Sequence, residues 1–252
     1  MSDKKTVFIT GGSTGIGAAA VRKFHACGWN VAFMDINDEE AAQTLKELPD
    51  MLYVHGNVRC KDEIAAAVGK TVEHFGGLDT VVSNAGIHRC NTLLDISDEE
   101  LDLMIDTNIK GTVNTLRAAV PHLGRGGSVV INASDQCYVG KPNSFGYGLT
   151  KGAIGQITRS LAIDLGPKGI RVNAVCAATI RTPLTEKLFQ SFADITHNGD
   201  VTAYWEAEAA MYPLGRVGEA HEVAELMYFL ASDAASFMTG GLYLVDGGLV
   251  AK

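Results

Sequence analysis

Two residues in the segment Tyr-Gly-Leu-Thr-Lys carry side chains that could move a proton. Tyr147 and Lys151 are four positions apart, which places them on one face of a helix. A free tyrosine has a pKa of about 10, and a neighbouring ammonium favours the phenolate and lowers that value. A tyrosine adjusted in this way can act as an acid or a base near neutral pH. Because such pairs also arise by chance on protein surfaces, their interpretation depends on the rest of the chain.

Ser134 supplies a hydroxyl that could join them. It follows the apolar run 129–133, which predicts a buried strand. Ligands of a parallel sheet bind beyond the carboxyl ends of its strands. At that edge the Ser134 hydroxyl could hold a carbonyl or alcohol oxygen.

A glycine-rich segment near the amino terminus has the context of a phosphate-binding loop. Thr6–Thr10 predicts a strand and 18–24 predicts a helix, with glycines between them. Gly11 can take the tight turn, Gly15 lets backbone N–H groups approach a pyrophosphate, and Gly17 allows close helix packing. The helix start offers unpaired N–H groups and a positive dipole end to phosphates. The same glycine spacing also occurs in ordinary turns.

Asp35 is the candidate ribose-binding acid. It ends the apolar run 30–34 and lies 18 residues after Gly17, close to the roughly 20 expected for this role. A carboxylate there accepts hydrogen bonds from the adenosine 2′- and 3′-hydroxyls and repels a 2′-phosphate. The residues that follow, 36–38, supply no cation. The sequence therefore predicts NAD rather than NADP; a solvated strand end or a helix cap is the alternative interpretation.

Composition excludes several classes of protein. The 252 residues suffice for one large α/β domain, and the net charge of −8 argues against nucleic-acid binding. No apolar run approaches the roughly 18 residues of a membrane span. Five scattered cysteines without a Cys-x-x-Cys pair indicate reduced thiols, and the seven histidines form no His-x-x-x-His pair typical of a metal site. Since the amino terminus enters the first strand directly, we expect a cytoplasmic protein.

Strand-like runs alternate with amphipathic stretches of helix length, which predicts a doubly wound α/β fold with a parallel sheet covered on both faces. We expect one domain over residues 1–252, with right-handed crossovers. The predicted strands are Thr6–Thr10, Asn30–Asp35, Met51–His55, Thr80–Ser83, Ser128–Ala133, Arg171–Val175 and Leu242–Val245. Predicted helices include Glu39–Leu48, Ile64–Phe75, Glu99–Ala119, Tyr147–Leu165 and Ala220–Ala231.

Residues 182–213, which we call the lid segment, interrupt this alternation. They are far longer than a usual connection. A disordered linker rarely carries so many large apolar side chains. We expect one or two helices that form a lid over the site; a packed pair of surface helices without a gating role is the alternative. The large side chains are Phe189, Phe192, Tyr204, Trp205, Met211 and Tyr212.

Over essentially its whole length the chain resembles the short-chain dehydrogenases/reductases of the single-domain branch. The matching segments are TGGSTGIG (10–17), SNAG (83–86), NIKG (108–111), INAS (131–134), YGLTK (147–151), IRVN (170–173), TGG (239–241) and DGG (246–248). The resemblance implies a single-domain Rossmann-like fold with a seven-stranded parallel sheet, helices on both faces and a helical substrate lid. It also implies an NAD(H)-dependent oxidoreductase that interconverts a secondary alcohol and a ketone.

The resemblance further implies a role for each matching residue. Tyr147 would be the general acid/base and Ser134 would orient the substrate oxygen. Lys151 would bind the nicotinamide ribose, and Asn108 would hold a water that links Lys151 to solvent, unless its amide is merely satisfied within a helix. The implied catalytic set is Asn108, Ser134, Tyr147 and Lys151. The implied cofactor-binding set is Gly11, Ser13, Thr14, Gly15, Ile16, Gly17, Asp35, Ile36, Asn57, Val58, Asn84, Ala85, Gly86, Tyr147, Lys151, Ile180 and Thr182.

Three positions depart from the family pattern. Asn57 stands where many members have Asp, and its amide oxygen can still accept a hydrogen bond from adenine. Ser83 replaces a frequent Asn. Ala177-Ala178 replaces a usual Pro-Gly pair and so removes a fixed φ and a permissive glycine. The backbone that meets the nicotinamide at Ile180 and Thr182 could therefore run differently.

Substrate identity is less constrained. Polar residues near the expected pocket favour a polyol, sugar or hydroxy acid, whereas the aromatic lid segment suits steroid, acyl or simple secondary-alcohol substrates equally well. Asp135 and Arg89 could instead pair with each other or with solvent. A sugar-nucleotide enzyme would need a longer substrate domain, and a non-catalytic NADH sensor would tend to lose the tyrosine or lysine. The family usually forms homotetramers, with homodimers as the alternative. The candidate substrate residues are His88, Arg89, Ser134, Gln136, Asn143 and Tyr147.

Overall fold

A sheet of seven parallel strands lies at the centre of the protein, whose structure is a computed structural model describing residues 4–196 and 199–251. The strand order is β3-β2-β1-β4-β5-β6-β9. The chain thus builds outward from β1 in one direction and then, from β4, in the other. A crevice therefore opens at the carboxyl ends of β1 and β4. The strands are β1 Thr6–Thr10, β2 Asn30–Asp35, β3 Leu52–His55, β4 Leu78–Ser83, β5 Leu123–Asn132, β6 Arg171–Ala177 and β9 Leu242–Val245. A separate parallel pair is formed by β7 Ile180–Arg181 and β8 Gly218–Glu219.

All seven predicted strands are present, and the predicted fold class is confirmed. The largest difference is in β5, which begins five residues earlier than predicted. Leu123 pairs with Leu78 before an irregularity in the ladder, and regular pairing resumes at Ser128 with Thr80. The glycines between Leu123 and Ser128 hide this first pairing from any pattern of apolar residues.

Helices cover both faces of the sheet and create two apolar cores. Because side chains alternate along a strand, Val7 and Ile9 pack in one core while Phe8 packs in the other. Helices α1 and α9 cover the Val7 face, and α3, α5 and α6 cover the Phe8 face. The α-helices are α1 Gly15–Ala26, α2 Asp38–Glu47, α3 Lys61–Phe75, α4 Asp98–Met104, α5 Gly111–Ala119, α6 Phe145–Leu165, α7 Pro183–Thr196, α8 Val201–Ala210 and α9 Ala220–Ala231.

The helix predicted over Glu99–Ala119 is present, but it is not α-helical throughout. A π-helical segment, Ile105–Lys110, separates α4 from α5. Apolar periodicity does not reveal such a segment, whose hydrogen bonds span one residue more than those of an α-helix. It carries Asn108, and it leads into Gly111, where an added Cβ would lie only 2.8 Å from Val58 Cγ2. Segments of this kind are frequent at functional sites.

The lid segment contains the two helices α7 and α8, as expected. Their aromatic side chains pack on one another: the ring centroids of Phe189 and Tyr204 are 4.7 Å apart, and those of Phe189 and Trp205 are 4.3 Å apart. His197 and Asn198, which belong to the predicted lid, lie outside the described residues, as do residues 1–3 and 252. Within the described ranges, no helix combines the length and apolar character needed to cross a membrane.

Candidate active site

A cavity of about 620 Å³ opens at the carboxyl edge of the sheet beneath the lid segment. The sheet edge and α6 supply its polar wall, and α7 and α8 supply a largely apolar one. The structure brings eleven of the predicted site residues to this cavity. They are Ile16, Asn84, Gly86, His88, Ser134, Gln136, Asn143, Tyr147, Lys151, Ile180 and Thr182.

Tyr147 and Lys151 share one face of α6, as their spacing predicts. The Lys151 Nζ lies 5.5 Å from the centroid of the Tyr147 ring. Lys151 is buried and donates a 2.7 Å hydrogen bond from Nζ to the main-chain oxygen of Asn132, at the end of β5. Burial lowers the pKa of Lys151 to about 8. The lysine is therefore held at a fixed point beside the tyrosine, and its charge is easily lost.

The pKa of Tyr147 differs from the sequence-based expectation. Burial raises it above its ordinary value and the charge of Asp135 raises it further, while a hydrogen bond with Ser134 acts in the opposite direction. The expected lowering of this pKa by Lys151 is thus not found, because desolvation of the phenolate has the largest effect on it. The phenol is protonated at neutral pH.

Ser134 is held by a short polar network. It begins a 3₁₀ turn in which its Oγ accepts from the Gln136 N–H at 3.2 Å and donates to Asp135 Oδ1 at 2.8 Å. Asp135 is buried, and its Oδ2 lies 2.7 Å from Nζ of Lys141. The partner of Asp135 is therefore Lys141 and not Arg89. This ion pair fixes the carboxylate that orients the serine hydroxyl.

His88 stacks on the ring of Tyr147. The centroids are 4.1 Å apart and the planes are within 13° of parallel. His88 Nε2 lies 3.0 Å from Ser144 Oγ, which also accepts from Gln136 Nε2 at 2.9 Å. Burial, followed by the charges of Lys141, Lys151 and Arg89, lowers the pKa of His88 to about 4, so the imidazole is neutral at pH 7.

Arg89 is the one predicted substrate residue that does not line the cavity. Its side chain is exposed, and Nη1 bonds to the carbonyl of His88 at 3.1 Å. The chain turns between these neighbours, so that His88 faces the cavity and Arg89 faces solvent. Asn143 does line the cavity, with a left-handed backbone (φ 52°) that asparagine tolerates better than most residues.

Asn108 uses its whole amide in local hydrogen bonds. Its Oδ1 accepts from the Ile87 N–H at 2.8 Å, and its Nδ2 donates to the Ile87 carbonyl at 2.9 Å and to Thr150 Oγ1 at 3.0 Å. The side chain thus ties the π-helical segment to the turn after β4 and to α6. Of the two sequence interpretations, the side-chain contacts match the satisfied amide.

Asn84 braces the glycine loop. Its Nδ2 donates to the carbonyls of Thr10 and Gly11, at 3.1 and 2.9 Å, and its Oδ1 accepts from Asn132 Nδ2 at 2.9 Å. These bonds join the carboxyl ends of β1, β4 and β5. Lys151 bonds to the same Asn132, so Asn132 and Asn84 together connect Lys151 to the glycine loop.

The glycine loop has the geometry that its sequence predicts. Gly11 and Gly15 have φ values of 67° and 54°. A Cβ on Gly17 would lie 1.8 Å from the carbonyl oxygen of Gly11, so only glycine fits there. Thr14 precedes α1 without a side-chain cap, which leaves the N–H groups of the helix start available. Ser13 Oγ is buried and has no hydrogen-bond partner among the described residues.

Asp35 lies beside this loop at the end of β2. Its Oδ2 accepts from the Ser13 N–H at 2.9 Å, and its Oδ1 accepts from the Asn37 N–H at 3.1 Å. Ile36 is exposed. Further along the same edge, Asn57 Oδ1 accepts from the Arg59 N–H at 3.0 Å, at the start of the segment leading to α3.

Sequence reasoning missed several groups in and around the cavity. Lys141 lies on a loop, and nothing in its spacing marks it as the partner of Asp135. Glu208 stands in an apolar and aromatic stretch of α8, yet it is buried and lines the cavity together with Thr179. A glutamate in a helix is usually solvated, so only the packing of α8 shows that Glu208 is buried. The described residues contain no cluster of three or more His, Cys, Asp or Glu side chains that could hold a metal ion.

Comparison with known proteins gives consistent likenesses. A family model described as enoyl-(acyl carrier protein) reductase matches residues 11–250. Oxidoreductase UcpA of Salmonella typhimurium (strain LT2) is 37% identical over 97% of this chain and 94% of the relative. A 3-alpha-(or 20-beta)-hydroxysteroid dehydrogenase of Mycobacterium tuberculosis (strain H37Rv) is 37% identical over 98% of this chain and 90% of the relative. Ligand-free aldohexose dehydrogenase of Thermoplasma acidophilum has a TM-score of 0.90 at 31% identity, covering 99% of this chain and 95% of that one.

Proposed function

Because the chain belongs to the short-chain dehydrogenase/reductase family, whose members bind a nicotinamide cofactor, we propose that it interconverts a secondary alcohol and a ketone with NAD(H). Tyr147 is the general acid/base of this proposal. The observation that carries it is one cavity lined by Tyr147, Lys151 and Ser134 and reached by Ile16 of the glycine loop. The proton donor, the orienting hydroxyl and the dinucleotide-binding loop therefore face one cavity, where substrate and cofactor would meet.

The residues present suit a dinucleotide. Gly17 leaves no room for a side chain between α1 and the loop, and the uncapped start of α1 has N–H groups free for phosphate oxygens. The unpartnered Oγ of Ser13 gives a further polar atom at the same place. The pyrophosphate would be held by the loop 11–17, adenine by Asn57 and Val58, and the nicotinamide end by Ile180 and Thr182. When bound, the cofactor supplies or accepts the hydride at the substrate carbon.

The chain's own residues provide the acid–base chemistry. Ser134, held by Asp135, orients the substrate oxygen towards the phenol of Tyr147. In the reducing direction Tyr147 Oη donates its proton to the carbonyl oxygen, and in the oxidising direction it takes the proton of the alcohol. Lys151 binds the nicotinamide ribose while Asn132 holds its ammonium. The raised pKa of Tyr147 keeps the phenol protonated at neutral pH, which is the form that donates a proton in ketone reduction.

Local charge supports NAD over NADP. Asp35 stands where the ribose hydroxyls would lie, and the first turn of α2 adds Asp38, Glu39 and Glu40. This concentration of negative charge opposes a 2′-phosphate. Arg22 lies close by, but its guanidinium is paired with Glu47 at 3.0 Å. An Asp35→Ala protein should lose NAD affinity and reject NADP less strongly. Retention of both properties would refute this assignment.

The substrate is proposed as a polyol, sugar or hydroxy acid, with steroid, 3-oxoacyl and simple secondary alcohols as the alternative. Polar groups next to the reacting position, including Gln136 and the Asp135–Lys141 pair, favour the first class. A polar pocket rejects analogues that leave its groups unpaired. The names of the relatives span both classes, since one is an aldohexose dehydrogenase and another a hydroxysteroid dehydrogenase.

The exposed face of α6 suggests how copies of the chain assemble. Phe145, Leu149 and Ile163 expose large apolar side chains on α6, which supports a homotetramer or homodimer formed through that helix in the cytoplasm. Light scattering that shows a stable monomer would contradict the proposed oligomer.

The lid segment is proposed to cover bound substrate, because Leu188, Phe189 and other side chains of α7 line the cavity.

The proposed function is tested by measuring NADH formation from NAD, and separately NADPH formation from NADP, across polyols, sugars, hydroxy acids, steroids and simple secondary alcohols. Turnover with NAD supports the reaction class. Turnover limited to apolar alcohols would discard the polar-substrate proposal and leave the mechanism standing. If no alcohol is oxidised while NADH still binds, the result would point to a substrate outside this panel or to a sensor.

A further inference from the structure

Glu208 is a buried carboxylate on the lid side of the cavity. It lies on α8, is only 8% exposed, and lines the cavity that also contains Tyr147. One of its oxygens, Oε1, accepts two hydrogen bonds: one from Thr179 Oγ1 at 2.5 Å and one from the Tyr212 hydroxyl at 3.0 Å. The carboxylate is therefore fixed in orientation by two neutral donors on different elements.

The second oxygen of Glu208, Oε2, accepts no hydrogen bond from the side chains and backbone described in residues 4–193 and 199–251. In the same ranges no Lys, Arg or His nitrogen lies within ion-pair distance of this carboxylate. This distinguishes Glu208 from the other buried acid of the cavity, Asp135, which has Ser134 and Lys141 as partners. A carboxylate oxygen is costly to leave without a donor once a ligand displaces the water around it.

The surroundings of Glu208 favour a hydrogen bond between its Oε2 atom and a donor group on the substrate. The lid wall of the cavity is otherwise largely apolar, with Leu188, Phe189, Phe192 and Met211 among its side chains. Substrate filling such a cavity displaces water from the lid side. The Oε2 atom of Glu208 would then be satisfied by a donor on the substrate, because no described residue donates a hydrogen bond to it.

We propose that Glu208 recognises a hydrogen-bond donor on the substrate, a hydroxyl or a protonated amine, at a position away from the reacting carbon. The inference rests on the proposed function, since it assumes a ketone or alcohol bound near Tyr147. Thr179, which fixes Glu208, directly precedes Ile180 at the proposed nicotinamide end. A substrate carboxylate or phosphate at this position is disfavoured, because two like charges would be buried together.

The competing explanation is a purely structural tie, in which Glu208 only fastens α8 to the segment after β6. Two variants separate the explanations. Glu208→Gln removes the charge and keeps the size of the side chain. Tyr212→Phe removes one donor to Oε1 and leaves Oε2 in place, so it weakens the tie without removing the recognising oxygen.

The experiment compares four ketones with NADH: cyclohexanone, 4-hydroxycyclohexanone, 4-aminocyclohexanone and 4-oxocyclohexanecarboxylate. For the wild-type protein we expect kcat/KM for at least one donor-bearing ketone to exceed that for cyclohexanone by about tenfold or more, the size of one hydrogen bond to a charged group. The carboxylate compound should be the poorest substrate. A preference for the hydroxy ketone indicates a polyol-like substrate, and a preference for the amino ketone indicates an amino alcohol.

In Glu208→Gln the ratio of kcat/KM for the amino ketone to that for cyclohexanone should fall to about one, and the same ratio for the hydroxy ketone should shrink. Tyr212→Phe should keep the wild-type order of the four compounds. Equal wild-type kcat/KM for cyclohexanone and both donor-bearing ketones would overturn the inference while leaving the proposed reaction intact. Equal losses for all four ketones in both variants would also overturn it and establish the structural tie.

Binding provides a readout that does not depend on turnover. The thermal unfolding midpoint of the wild-type protein with NADH is measured with and without each ketone. We expect the donor-bearing compounds to raise it more than cyclohexanone, and Glu208→Gln to remove the difference. If no ketone is reduced, the proposed function is in doubt. If, in addition, neither donor-bearing compound raises the midpoint above cyclohexanone, the recognition by Glu208 is refuted separately.

Discussion

Gly17→Ala tests the packing of the dinucleotide loop with the smallest possible change. The added Cβ would lie 1.8 Å from the Gly11 carbonyl oxygen, 2.8 Å from the Gly11 carbonyl carbon and 2.5 Å from Asn84 Nδ2. Two of these atoms belong to the backbone and cannot rotate away. The start of α1 must therefore move away from the loop by more than about 1 Å to restore van der Waals contact.

Two effects follow from this displacement. Overpacking of a close-packed region costs about 1–3 kcal/mol, which for a domain of this size lowers the unfolding midpoint by roughly 3–10 °C. The N–H groups of the helix start also leave the position of the pyrophosphate. Loss of one hydrogen bond to a charged phosphate weakens NADH binding by about tenfold or more.

NADH binding is followed by fluorescence titration and stability by thermal unfolding. Gly69→Ala is the matched control, because Gly69 lies within α3, is exposed, and its added Cβ would have no atom within 4 Å. We expect the control to bind NADH normally and to be as stable as the wild type or slightly more stable. A Gly17→Ala protein with wild-type NADH affinity and an unchanged midpoint would refute the packing argument.

Three further predictions concern the polar wall. Lys141→Met leaves Asp135 buried without its cation and should lower the free energy of unfolding by about 3–5 kcal/mol. The double variant with Asp135→Asn should recover most of that stability. If urea unfolding instead shows that the losses of the two single variants add up in the double variant, the ion pair is contradicted. Lys151→Met should stabilise the protein by about 2 kcal/mol at pH 7. The pKa of Lys151 is about 8 in the folded protein and 10.5 ordinarily, so burying its charge lowers the stability of the folded state. The substitution removes that cost and loses one hydrogen bond. That gain should vanish as pH rises from 8 past 10.5, and a pH-independent gain would refute it. Ser134→Ala should lower kcat about 10²–10³-fold with NADH affinity unchanged; a small loss confined to KM would contradict its orienting role.

The sheet and the glycine loop were predictable because their signals are local. A buried parallel strand needs a continuous apolar run, and β1, β2 and β6 each provide one. Gly17 is a comparable case, since its contact with Gly11 depends only on the strand–turn–helix unit that contains both. The position of Asp35 beside Ser13 follows from the pairing of β1 with β2.

Features that depend on distant packing were not predictable. The π-helical segment around Asn108 is supported by contacts with Ile87 and Thr150, which are remote in sequence. The direction of the Tyr147 pKa depends on how completely the ring is buried and on the nearby charge of Asp135, neither of which the Tyr-x-x-x-Lys spacing expresses. The burial of Glu208 in the cavity wall depends on how α8 packs over the sheet edge, which the sequence does not express.

The sequence does not predict the substrate, because the shape of the cavity depends on the packing of the lid segment. Ser134, Tyr147 and Lys151 come from segments that match the family pattern, whereas Lys141 and the lid segment, which supplies much of the opposite wall, lie outside those segments. A sequence pattern can place Ser134 and Tyr147 at the sheet edge, but the shape and polarity of the cavity depend on which faces of α7 and α8 turn inward.

The most direct test of the central claim compares Tyr147→Phe with the wild-type protein, measuring turnover across the alcohol panel and NADH affinity on the same samples. Phenylalanine keeps the ring that stacks on His88 and removes only the hydroxyl. We predict that turnover is abolished while NADH affinity stays within a few-fold of the wild type. Turnover close to that of the wild type would contradict the account, because the proton would then be moved by another group.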